Sequence, residues 1–385
     1  MICIARLIKR YCHRCTRRTH ICIELRPRSR QKVYRALIVT TLGILLLIHF
    51  GVFDILMGTS FSQFKYPLNI DLVSVVKAVK QHREIDVKPI NAYSFSHVIE
   101  NSERCHDDEN EDVFLLAVIK SSIEHFENRM AIRETWGGRG VVQGRELRSV
   151  FLLGVRPLDG KHLQNKVIAE NQLYGDLLQD DFHDQYFNNT LKTMMGFRWA
   201  TIHCRNAKFI FFVDDDYYVS IQSLVEYLLS IGDKKRFLAG YVFTTSLPKR
   251  NPYSKWYISR EEYPFFFYPS YPTAGAYVVS MDVAVDFDIG FRYTKYLRFD
   301  DVFLGIVAWK LLVTPVHHSE FYFLSKVYPM YNRRMIASHG YSDGNELRDR
   351  QLVTATDLNF KSRTDLAKQI FGKSFRIRHQ PLLCP

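Results

Sequence analysis

The chain has 385 residues, 47% of them apolar, with no low-complexity tract and no internal repeat, which excludes a disordered or solenoid protein. Its net charge of +12 invites a nucleic-acid partner, but residues 1–35 alone carry eleven Lys and Arg against one acid, Glu24. The body is therefore close to neutral, and a basic nucleic-acid binder is excluded.

In chain order, the basic tail (1–35) runs into "ALIVTTLGILLLIHFGVF" (36–53), whose single ionisable side chain is His49. Such a run is near the lower limit for crossing a bilayer core. A signal peptide and a buried soluble helix are the rivals. The long one-sided run of cations and the lack of a small-x-small cleavage site favour a membrane anchor with a cytosolic N-terminus. Cys3, Cys12, Cys15 and Cys22 then lie where thiols stay reduced. Only Cys105, Cys204 and Cys384 reach the oxidising side, so at most one disulfide forms among them. In the same compartment Asn188, of the single sequon Asn188-Asn189-Thr190, should carry an N-glycan.

Residues 58–110 are polar, weakly periodic and followed by an acidic run, and are expected to form a stem; an extension packed on the domain is the alternative. From 111 onward the chain is expected to be one folded domain. "VFLLAVIKSS" from Val113, "SVFLLGV" (149–155) and "KFIFFV" (208–213) are continuous apolar runs of the kind buried on both faces of a sheet. Helix-like stretches at 162–178 and 189–204 lie between them. This alternation predicts an α/β domain with a mostly parallel central sheet flanked by helices, and ligands beyond the carboxyl ends of its strands.

Three aspartates, Asp214, Asp215 and Asp216, stand at such a strand end. Adjacent carboxylates repel, and a hard divalent cation with oxygen ligands would relieve them. Strand geometry puts Asp214 and Asp216 on one side and Asp215 on the other. A solvated acidic helix cap is the plainer alternative. "NRMAIRETWGG" (128–138) sets Arg129, Arg133 and Trp136 beyond the first strand, suited to phosphate and base or sugar, or else to ordinary ion pairs on a surface helix. Asp300 and Asp301 form a second acidic pair, which suggests that one site binds metal and the other moves a proton. His339 lies in a glycine-bearing polar loop and by itself reads as either ligand or scaffold. The aromatic run 262–271 is either an acceptor wall or a packed core-edge loop.

"RMAIRETWGG", "FLLGV", "ENQLYGDLLQDDFHDQYFNNTLKTMMGFRWA", "FFVDDDYYV", "YPSYPTAGAYVVS" and "FDDVFLG" occur in this order. Over roughly residues 113–345 the chain thus resembles the β-1,3-galactosyltransferase-like family of Golgi type II membrane enzymes. The resemblance implies a GT-A fold and Mn²⁺-dependent, inverting transfer of galactose from a UDP-sugar to a glycan on a glycoprotein or glycolipid. Its alternatives are transfer of N-acetylglucosamine and a non-catalytic Golgi relative. It further implies Asp216, Asp214 and His339 at the metal, and Asp301 as catalytic base with Asp300 beside it. Arg129, Arg133, Trp136, Lys192, Asp214 and Asp215 would be donor-binding. Where the family has two cysteines this chain has Pro272 and Val307, as a lost disulfide would look, and two of its glycines are here Ala274 and Ala276.

Overall fold

The computed structural model describes residues 27–49, 52, 58–91, 93–105, 113–156, 160–324, 326–327, 332 and 334–350. Most of the basic tail, the acidic run from residue 106 and Cys384 lie outside them. The chain divides into two units, Met1–Gly58 and Thr59–Pro385.

In the first unit, helix α1 (Pro27–His49) is long and apolar enough to cross a membrane. Its apolar window, Gln31–Ile48, extends about 27 Å at 1.5 Å per residue, close to a bilayer core; it starts before the expected 36–53 run, whose residues 50, 51 and 53 lie outside the described ones. Leu37, Ile38, Val39, Leu45 and Leu46 are exposed along it, as a membrane-facing helix requires.

The second unit comprises, in order, α2 (Leu72–Lys80), β1 (His97–Ile99), β2 (Val113–Lys120), α3 (Phe126–Glu134), β3 (Gly140–Val142), β4 (Arg145–Val155) and α4 (Gly160–Tyr174). There follow β5 (Leu177–His183), α5 (Asn189–His203), β6 (Phe209–Asp214), β7 (Tyr217–Val219), α6 (Ile221–Ile231), β8 (Leu238–Phe243) and β9 (Tyr271–Ser280). Helices α7 (Met281–Arg292) and α8 (Asp300–Lys310) and the short strands β10 (Val316–His317), β11 (Phe321–Tyr322) and β12 (Ala337–His339) complete it.

The main sheet runs β1-β5-β4-β2-β6-β9-β8-β10, with β3 on β4. Its heart, β5-β4-β2-β6, is parallel. The expectation of a mostly parallel sheet needs correction, because β9 pairs antiparallel with both β6 and β8. No helix crosses between β8 and β9, and an antiparallel return needs none. All eight residues of β2 are buried, since apolar layers cover both faces. One layer holds Phe197 of α5, Phe287 of α7 and Phe303 of α8. The other holds Ile132 of α3 and Leu224 and Leu228 of α6. The helix expected over 162–178 stops at Tyr174, because Gly175 takes φ +60 and ends it, and the rest of that stretch opens β5.

The stem expected over 58–110 is also corrected. Its described residues pack on the domain: Leu72, Val75 and Val76 of α2 are buried in the core, and Asp71 caps that helix by accepting from Ser74 N. β1 extends the sheet beside β5, and Cys105 is disulfide-bonded to Cys204. Losing such a bond typically costs about 2–5 kcal/mol. Residues 59–385 behind a secretion signal should therefore be secreted as a folded protein, whereas 113–385 should be retained or aggregate. Comparing secreted yield and free-thiol content of the two tests this, and equal secretion of both would return 59–112 to a dispensable stem.

Candidate active site

The site forms where apolar strands end in polar residues. β2 and β6 run in parallel, with Lys120 opposite Asp214. Alternation along each strand puts both side chains on the face covered by α5 and α8. Lys120 is 4% exposed. Its Nζ lies 2.9 Å from Asp214 Oδ1 and 2.8 Å from Asp300 Oδ2, and it donates to Ala274 O at 3.0 Å. Burial works against this ammonium, but Asp214 and Asp300 outweigh it and hold its pKa well above the ordinary lysine value. Sequence reasoning missed Lys120. The available signal was a lysine closing an eight-residue apolar run, where an unpaired charge would be costly.

Asp300 and Asp301 open α8. Asp300 also accepts from Thr193 Oγ1 at 3.2 Å, so its carboxylate is committed to Lys120 and α5. Asp301 is half-buried and accepts from Val302 N at 2.8 Å. Among the described residues no side chain donates to it. Burial, and then the neighbouring Asp300, push its carboxyl up to about 7.

Asp216 and His339 are brought together by the small sheet β11-β12-β7, in which His339 faces Tyr217. Gly340, at φ +103, turns the chain so that its N–H and that of Tyr341 both donate to Asp216 O, at 3.1 and 2.8 Å. His339 Nε2 is 3.1 Å from Asp216 Oδ2. Asp216 Oδ1 is buried with no hydrogen-bond partner. An orphaned carboxylate oxygen beside an imidazole fits a divalent cation, which would take the lone pairs that nothing else satisfies. Among the described residues no three His, Cys, Asp or Glu side chains converge as a metal cluster. The expected set of three is thus corrected: Asp216 and His339 pair, while Asp214 is held by Lys120.

Asp215 points away from these groups, as strand alternation requires. Its Oδ2 accepts from Ser121 Oγ at 2.6 Å and lies 2.9 Å from His125 Nδ1. Behind it stand residues expected to touch the donor, and their side chains are engaged within the protein. Arg129 is fully buried, with all five guanidinium donors engaged on Glu170, Ser121 Oγ, Ser122 O and Ile123 O. Arg133 is bidentate to Asp176 and 2.8 Å from Glu170. Lys192 is buried on Ser121 O and Asp184. Trp136, 4% exposed, packs in an apolar layer. A buried cation must be paired, and these pairings hold the loop after β2 by its own carbonyls. Their contribution to the site is therefore indirect.

The aromatic run is mostly core: Tyr263, Phe265, Tyr268 and Tyr271 are buried, leaving Phe266 and Phe267 half-exposed. Asn188 is half-buried ahead of α5, its amide donating to His183 O at 2.8 Å.

The galactosyltransferase family model matches residues 127–319 of this chain. The chain is 37% identical over 307 residues to lactosylceramide 1,3-N-acetyl-beta-D-glucosaminyltransferase of Xenopus tropicalis, covering 77% of this chain and 79% of that one. It is 41% identical over 238 residues to beta-1,3-galactosyltransferase brn of Drosophila melanogaster, covering 60% and 72%. Against human beta-1,3-galactosyltransferase 5 the identity is 37% over 198 residues, covering 51% and 63%. A match of this extent shows that the chain belongs to the galactosyltransferase family of glycosyltransferases.

Proposed function

We propose that the domain is an inverting, UDP-sugar-dependent β-1,3-hexosyltransferase on a GT-A-type fold. In this reading it is anchored by α1 in the Golgi membrane as a single-pass type II protein, and its luminal domain elongates a glycan on a glycoprotein or glycolipid. The observation that carries the reading is Asp301, to which no side chain among the described residues donates, beside Asp214 and Asp300, which are both held by Lys120. The free oxygen of Asp301 takes the proton of the acceptor 3-hydroxyl. The hydroxyl oxygen attacks the anomeric carbon as the bond to the β-phosphate of UDP breaks, so an α-linked donor gives a β product.

Asp216 and His339 would hold the divalent cation, Mn²⁺ in this reading, which when bound supplies Lewis-acid compensation for charge on the leaving diphosphate. Lys120 pairs with both Asp214 and Asp300, leaving Asp301 free to accept the proton. Galactose is the first donor to consider, since the relative sharing 41% identity is named a galactosyltransferase. The second reading, N-acetylglucosamine, is favoured by a relative that covers more of the chain. A non-catalytic role would leave both the uncommitted Asp301 and the orphaned Asp216 oxygen without a use.

Residues 59–385 should transfer sugar from UDP-galactose to an acceptor glycan in β-1,3 linkage when Mn²⁺ is present, and not after chelation. A radiolabelled panel of UDP-galactose, UDP-N-acetylglucosamine and UDP-glucose measures this. Preference for UDP-N-acetylglucosamine would select the second reading, and no transfer from any of the three would sink the enzyme assignment.

A further inference from the structure

Lys120 makes three contacts, and an ammonium has three protons. They go to Asp214 on β6, Asp300 at the start of α8, and Ala274 O on β9. The lysine itself ends β2, whose carbonyl at this residue accepts from Asp215 N at 3.1 Å. Four elements that line the site thus meet at one buried nitrogen, and α5 joins them through Thr193 on Asp300. No proton of Lys120 remains for substrate. Asp301 directly follows the tethered Asp300, and no side chain among the described residues steers it. The direction of its carboxylate is therefore inherited from the anchoring of Asp300.

We infer that Lys120 is a positioning residue, which fixes the base-bearing end of α8 to the strand that carries the donor-side aspartates. The inference rests on the proposed transferase reading. It differs from a purely structural role, because a structural lysine would matter only to folding, whereas a tether sets where the base stands relative to the reacting oxygen. Misplacing a catalytic group by about 1 Å can cost on the order of 100-fold in rate.

Lys120→Met alone leaves two carboxylates facing each other in a buried site and lowers stability, so it cannot separate the two roles. Lys120→Met/Asp300→Asn can: it removes one positive and one negative charge, keeps the side-chain sizes and the net charge of the trio, and deletes the tether. In residues 59–385 the double variant should regain most of the wild-type Tm. Its UDP affinity with Mn²⁺ should stay within about threefold of wild type, and its kcat should remain roughly 10- to 100-fold down. Asp300→Ala, which removes the oxygen that Lys120 donates to and keeps Lys120 on Asp214, should show the same kcat loss with smaller change in Tm, and serves if the double variant does not fold. A folded double variant with wild-type kcat overturns the positioning role, as does UDP affinity falling in step with kcat. Asp301→Asn in the same assay reports on the underlying reading. If it keeps wild-type turnover, the transferase base is wrong; if it is inactive while the double variant is fully active, only the tether is wrong.

Discussion

Asp301→Asn is expected to bind UDP and Mn²⁺ as wild type does while turnover falls by about 10²- to 10⁴-fold, the usual worth of general-base catalysis. The amide preserves shape and still accepts from Val302 N, but it cannot take the acceptor's proton. His339 lies on the separate small sheet and Asp216 in the turn that leads into it, and both should be undisturbed. The same carboxyl predicts the pH dependence. Burial and Asp300 push it up to about 7, so it is increasingly protonated below that pH and kcat/KM should fall as pH drops through about 7. Lys120 opposes this shift, and Tyr268, Tyr271 and Tyr277 face the same carboxylate with their own ionisation pushed up by burial. Removing the like charge with Asp300→Asn should therefore move the acid limb to lower pH, since the carboxyl would ionise more readily. Calorimetric titration with UDP beside initial rates across pH measures both effects. Near-normal turnover in Asp301→Asn would pass the role of base to Asp300.

The second large effect is expected at Asp216. Asp216→Ala should abolish Mn²⁺-dependent binding of UDP, with loss of turnover following from loss of binding. The substitution removes a buried oxygen that has no other partner, together with the group that faces His339. The carboxylate that remains beside it is Asp214, already held by Lys120. The change should cost the fold little, because the backbone bonds from Gly340 and Tyr341 run to the carbonyl of residue 216 and survive in alanine. Thermal melts without metal should thus superimpose on wild type, while Mn²⁺ and UDP should raise the Tm of wild type only. A metal-dependent shift of wild-type size in the alanine variant would move the cation site elsewhere.

These two failures separate a binding defect from a chemical one, and both acidic segments were visible in the sequence. Strand ends, aspartate triplet, second acidic pair and the long apolar helix could all be read because each is local. A run such as "VFLLAVIK" declares its own burial, and three consecutive carboxylates at its neighbour's end declare a need for positive charge. The terminal location of the basic residues could likewise be counted directly. What the sequence left open were partnerships between distant residues. Arg129 and Arg133 look alike on a short motif whether they face a phosphate or a buried acid, and only Glu170 and Asp176, about forty positions on, bury them as ion pairs. Residues 58–105 read as a stem because their few apolar positions gain meaning only against α7 and Cys204. Lys120 was silent for the same reason: a lysine's role depends on which carboxylates meet it. Asp214 and Asp300 reach it from 94 and 180 positions away, and only the folded chain brings them there.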